Sequence, residues 1–166
     1  LPAHDLEIPV EVEIVGWSPF TPPDPDPSSL PLGAIEYRFR NRADRARRAV
    51  FSFHASNFMG NGPIEGIQGG FVLRESKGGP AFAFFMRDSD PVVDHCWFRG
   101  GWRDALTIAW TNVERGTPVA NPPAEGPGPG ASLWVPFELG AGEEKTLRLL
   151  ACWHVPTSTL RFRSEE

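Results

Sequence analysis

Ile35-Glu36-Tyr37-Arg38-Phe39-Arg40, a polar break at Asn41-Arg42-Ala43-Asp44, then Ala49-Val50-Phe51-Ser52-Phe53-His54: the fold turns on how this stretch is read. Apolar residues at every second position put Ile35, Tyr37 and Phe39 on one face and Phe51 with Phe53 on another. A period of two is the mark of a strand with one buried side. The break is turn chemistry, so the two runs are expected to pair as an antiparallel hairpin with an aromatic side.

The same pattern extends outward in both directions. Upstream, Val10-Glu11-Val12-Glu13-Ile14-Val15 alternates, with Val10, Val12 and Ile14 expected on the core face. Downstream, Gly70 to Arg74 and Ala81 to Met86 read as strands joined by the Gly/Pro turn 75–80. The chain closes with Leu133 to Phe137 and Thr146 to Trp153, where Leu147, Leu149, Ala151 and Trp153 alternate. Between them, Leu139-Gly140-Ala141-Gly142-Glu143-Glu144-Lys145 has the form of a crossover between the sheets of an immunoglobulin-like sandwich. Trp102, Ala105, Leu106 and Ala109 fall at helical spacing, which predicts one short helix at most. Six prolines in residues 17–31 exclude helix and central strand there, leaving an extended loop. A second Pro/Gly loop covers 116–130, and Asn57 to Gly70 reads as a Gly/Asn-rich loop. Seven or eight short strands with turn signals predict an all-β fold, an antiparallel β-sandwich.

Composition agrees. The chain has 166 residues with 17 glycines and 18 prolines, which argues against a helical bundle. Its length suits one sandwich domain over 1–166, or part of one. With 40% hydrophobic and 22% charged residues it is globular rather than disordered. A formal charge of −5 offers no attraction for nucleic acid. No apolar run is long enough for a transmembrane helix, and Leu1-Pro2-Ala3-His4-Asp5 lacks the features of a signal peptide. A first residue other than Met suggests a piece of a longer polypeptide. Cys96 and Cys152 do not make a disulfide framework and are expected to be buried thiols.

Motifs for chemistry are absent. His4, His54, His95 and His154 are scattered without HExxH, there is no CxxC, and Asp94-His95-Cys96 alternates across a strand, so no metal is assigned. There is no GxSxG, no phosphate-binding glycine spacing and no nucleophile with an acid behind its base. Glu11 and Glu13 share a strand face, but one turned to solvent, where nothing separates their pKa values for acid/base work. No cofactor and no catalytic residue is assigned. What remains is tryptophan, six in all. Trp134 and Trp153 are expected in the core by their alternation. Trp97 and Trp102 flank the turn Phe98-Arg99-Gly100-Gly101 beside Arg103 and Asp104. Aromatic and charged groups around a Gly turn suit a polar ligand or a domain interface. With Asn57, these four residues are the candidate contact site.

Several segments, taken in order, carry a resemblance. Glu11 to Phe20, then Pro22-Pro23-Asp24 and Asp26 to Leu32, resembles the N-terminal region of glycoside hydrolase family 116, the bile-acid β-glucosidases or non-lysosomal glucosylceramidases and their bacterial relatives. Ile35 to Asn41 is similar to that region's second strand. Ser52 to Asn57 is similar to a later strand, with His54 where the family more often has Trp. Phe98, Trp102 and Asp104-Ala105-Leu106, the 139–145 turn and Ala151 to Pro156 follow in the family's order. The similarity spans about residues 8 to 157 and rests most on the SPF and SSLP segments.

The resemblance implies a non-catalytic β-sandwich module in a retaining β-glucosidase. Its catalytic carboxylates would sit in a separate (α/α)6 barrel of the same polypeptide, so none is carried over. The family's Gly-rich start has no counterpart, so the chain would be part of that sandwich, with exposed edges. The implied partners are the helical domain and, through it, a β-glucoside or glycolipid sugar; the implied location is the cytoplasm. The competing expectation is a stand-alone carbohydrate-binding or adhesion module, with Trp97 and Trp102 stacking on sugar.

Overall fold

A six-stranded sheet faces a three-stranded one, and every strand pairing in both is antiparallel. The computed structural model describes residues 8–76 and 78–157. The N-terminal pentapeptide and Lys77 of the 75–80 turn lie outside them. The elements run β1 (Val10–Trp17), α1 (Pro25–Ser28), β2 (Leu32–Asn41), β3 (Arg47–Ser56), β4 (Ile64–Ile67), β5 (Gly70–Arg74), β6 (Ala81–Phe85), β7 (Val92–Asp94), α2 (Ala105–Glu114), β8 (Gly130–Leu139) and β9 (Glu144–His154). The larger sheet has the order β1-β2-β9-β6-β5-β4 and the smaller β3-β8-β7. The all-β sandwich expected from the alternation is the fold. No helix among the described residues is long and apolar enough to cross a membrane.

The hairpin of the opening stretch does not form. β2 pairs with β1 and β9, whereas β3 pairs with β8 in the opposite sheet. Residues 42–46 carry the chain from one sheet to the other. The aromatic faces meet across the sandwich instead of within a sheet: the Tyr37 and Phe51 ring centres lie 4.7 Å apart, and Phe53 and Phe84 also 4.7 Å. Alternation fixes which side of a strand is apolar and says nothing about its hydrogen-bonded neighbour. The 139–145 crossover does form, since β8 lies in the small sheet and β9 in the large one.

The core lies between the sheets. Phe71, Leu73 and Leu133 have no exposed surface, and each such side chain contributes roughly 1.5–3 kcal/mol by leaving water. The large sheet is wider than its lid, and this corrects two core assignments. Ile14 sits on the inner face of edge strand β1, beyond the small sheet, and is exposed. Trp153 also faces inward but past the end of the small sheet; it is exposed and stacks on Phe82 with ring centres 6.2 Å apart. Trp134 is buried as expected, though on the outer side of the small sheet.

Other differences are local. The Gly/Asn-rich segment holds strand β4, turned into β5 through Gln68-Gly69, where Gly69 has φ 69°. The Pro loop contains a helical turn, α1, so there are two helices rather than one. Its prolines stand at the first turn, where a missing N–H costs nothing, and Asp24 caps it by accepting from the Asp26 amide. Cys96 and Cys152 are unpaired and half-buried rather than buried. Burial still pushes the Cys152 thiol up.

The outer face of the large sheet is solvated. Arg38 pairs with Glu13 at 2.7 Å, Arg148 with Glu36 at 2.7 Å and Arg40 with Glu144 at 3.2 Å, while Arg42 pairs with Glu11. Each glutamate of the Glu11/Glu13 couple thus has its own arginine.

Candidate functional site

The outer face of the small sheet is covered by residues 95–128, and all five candidate residues lie on or beside that cover. It is tied down by backbone bonds: His95 N to Asn121 O at 3.0 Å and Trp97 N to Gly130 O at 3.1 Å. Helix α2 starts at Ala105 because Asp104 caps it. Asp104 Oδ2 accepts from the Thr107 amide at 2.8 Å and from Thr107 Oγ1 at 2.9 Å. These bonds hold the Asp104 carboxyl below the usual carboxylate range.

The helix is shifted from the expected face. Ala105, Ile108, Ala109 and Asn112 turn toward the sheet. Leu106 and Trp110, one turn apart on the helix, are each 60% exposed, and Trp102 is 80% exposed. Trp102 precedes the helix and packs edge-on against Phe98, ring centres 5.0 Å apart. Leu106, expected inward, is thus part of an apolar ridge.

Beside this ridge is a groove of about 520 Å³. Asn57, Arg103 and Asp104 line it together, with Asn61 and Arg99. Asn57 is held in place by its amide to Pro129 O at 2.9 Å and its Nδ2 to Gly62 O at 3.1 Å, while its buried Oδ1 has no partner. Amides, guanidinium groups and a carboxylate around one groove, with the Phe98 ring in its lining, can hydrogen-bond and stack on a hydroxylated ligand. The structure therefore brings three of the five candidates together in one groove; Trp102 does not line it but packs on Phe98, which does.

Trp97 is the other exception. It is buried, and its Nε1 donates to Ser132 Oγ at 2.7 Å. Its ring lies so close to Gly130 that a Cβ there would come within 2.4 Å of Trp97 Cε3. It does not line this groove. Leu106, Trp110, Asn61 and Arg99 were missed by sequence reasoning. The spacing of four from Trp102 to Leu106 to Trp110 was the available signal for the first two; nothing local marks the others, which arrive from separate loops.

Beneath Trp97 lies a buried polar chain. Ser132 Oγ is also 2.8 Å from His54 Nδ1, and the His54 ring meets Trp134 edge-on at 4.9 Å. Burial lowers the His54 pKa from its ordinary 6.5, against the opposing pull of the Asp94 carboxylate. The unfolded chain then binds a proton before the folded one does, so His54 supports the fold fully above pH 6.5 and progressively less as the pH falls below it. Thermal melting from pH 7.5 to 5 is expected to show this loss, and His54→Gln to reduce the slope. An unchanged slope in the variant would refute the assignment.

Among the described residues no group of three or more His, Cys, Asp or Glu side chains is placed to hold a metal ion. No family model matches the chain, and no curated protein matches it.

Proposed function

We propose that this sandwich is a non-catalytic module that docks on a separate catalytic domain of the same polypeptide, in a retaining β-glucosidase of the family 116 kind. The observation that carries the docking role is the ridge Trp102–Leu106–Trp110. Three large apolar side chains left in water, Leu106 and Trp110 on helix α2 and Trp102 just before it, mark a contact surface. The sequence resemblance supplies the identity of the partner, a helical barrel, and the substrate class, a β-glucoside or glycolipid. Two unpaired cysteines fit a reducing compartment such as the cytoplasm.

The test uses the natural polypeptide that contains these residues. Trp102→Ala with Leu106→Glu is expected to leave the melting of the isolated sandwich within about 0.5 kcal/mol, because both side chains already face water. In the complete polypeptide the same pair is expected to lower the melting temperature and to cut hydrolysis of an aryl β-glucoside by about tenfold or more, the size of a lost positioning contact. Unchanged activity and melting of the complete polypeptide would sink the docking role. Lack of any β-glucoside hydrolysis by that polypeptide would sink the enzyme assignment.

The groove favours a second reading, direct sugar binding, since Asn57, Arg103 and Asp104 converge beside Trp102. Saturable quenching of tryptophan fluorescence by octyl β-glucoside, abolished by Trp102→Ala, would select it. A docking module gives no such quenching.

A further inference from the structure

Under α2 lies a second cavity, of about 500 Å³, a size typical of small-molecule sites. The ridge residues Trp102, Leu106 and Trp110 do not line it. Its apolar lining includes Phe98, Ile108, Ala109 and Val119, and its polar lining Asp94, Asn112 and Asn121. Asp94 is only 5% exposed. Its Oδ1 accepts from the Cys96 amide at 3.1 Å and from Asn121 Nδ2 at 2.9 Å. Both donors are neutral. Among the described residues Oδ2 has no hydrogen-bond partner, and no lysine or arginine pairs with this carboxylate. Arg99 lines the same cavity but directs its Nη1 to Glu125 O at 2.8 Å. Burial lowers the pKa of the nearby His54, against the pull of Asp94.

A carboxylate oxygen that no protein donor meets and no counter-charge faces is left to solvent or to a ligand. Here that oxygen belongs to a side chain lining a cavity whose other lining residues are largely apolar. We propose that this cavity binds a small primary amine carried on an apolar body, its ammonium group on Asp94 Oδ2 and its body against Phe98, Ile108 and Val119. The ammonium completes the charge pair, and Asn112 and Asn121 offer carbonyl oxygens to its remaining protons. The site is independent of the docking ridge, and either can fail without the other.

The test is titration of the isolated sandwich with 2-phenylethylammonium, 2-phenylethanol and 3-phenylpropionate, which differ only in the charge and donors of the head group. The readout is nitrogen–proton NMR of the Trp97 indole and the Ala109 amide. The amine is expected to give saturable shifts, the alcohol to bind more weakly and the acid not at all. Asp94→Asn keeps an acceptor for Cys96 and Asn121 and is expected to weaken the amine by about tenfold or more while changing the alcohol less than about threefold. Ile108→Trp, which fills the cavity from the helix side, is expected to abolish binding of the amine and decides the matter if Asp94→Asn does not fold. Equal binding of amine and alcohol, no saturable shift, or amine binding that survives either variant overturns the proposal.

Discussion

Replacing Asn41 by alanine is expected to destabilise the sandwich by roughly 3–5 kcal/mol, because several buried backbone groups lose their only side-chain partner at once. Asn41 has no exposed surface. Its Nδ2 donates to Arg45 O at 2.8 Å, Gly140 O at 2.9 Å and Leu139 O at 3.1 Å, two protons shared among three carbonyls. Its Oδ1 accepts from the Ala43 amide at 3.0 Å, and its own amide donates to Glu143 O at 3.0 Å. Arg45 and Ala43 belong to the crossing from β2 to β3, Leu139 and Gly140 to the crossing from β8 to β9. One side chain thus ties together both points where the chain changes sheet. Asn41→Asp is expected to be at least as damaging, since a carboxylate would face the same three carbonyls. Urea unfolding of the two variants checks this; a loss below about 1 kcal/mol for alanine would show that water replaces the amide without cost.

Trp97→Ala is the second large effect, expected at roughly 3–5 kcal/mol from the cavity it leaves between the 95–128 cover and the small sheet. Trp97→Phe retains most of the packing but strips Ser132 Oγ of its donor, and is expected to cost roughly 1–2 kcal/mol. The ordering separates packing from hydrogen bonding. It also separates Trp97 from Trp102, whose removal touches only Phe98 and solvent and is expected to leave the isolated sandwich's stability unaltered. Equal, small losses at both positions would mean that the cover is not anchored through Trp97.

These two residues show where local reading stopped. Trp97 and Trp102 are five positions apart around one Gly turn, and nothing in the sequence says which indole turns inward. The choice falls to Gly130 and Ser132, more than 30 residues downstream, which supply the space and the hydrogen-bond acceptor. The inverse happened with Trp153. It keeps strict alternation with the buried Leu147 and Leu149, yet it is exposed because it stands at the end of β9, past the end of the small sheet. Leucine at helical spacing usually is core, yet Leu106 faces water, and Ala105, Ile108 and Ala109 turn inward in its place.

The amino-acid sequence by itself determined the class of fold, the positions of most strands, both long Pro/Gly loops and the absence of a recognisable catalytic motif. Those depend on contacts between near neighbours: side chains two apart share a strand face, and proline acts on its own backbone. Only the tertiary structure decided which strands pair, that β2 and β3 face each other instead of forming a hairpin, and that Asn57, Arg103 and Asp104 share a groove. It alone placed Asp94 on a cavity wall without a counter-charge. These depend on the relative widths of the two sheets and on loops brought together from distant parts of the chain, and no local periodicity records either.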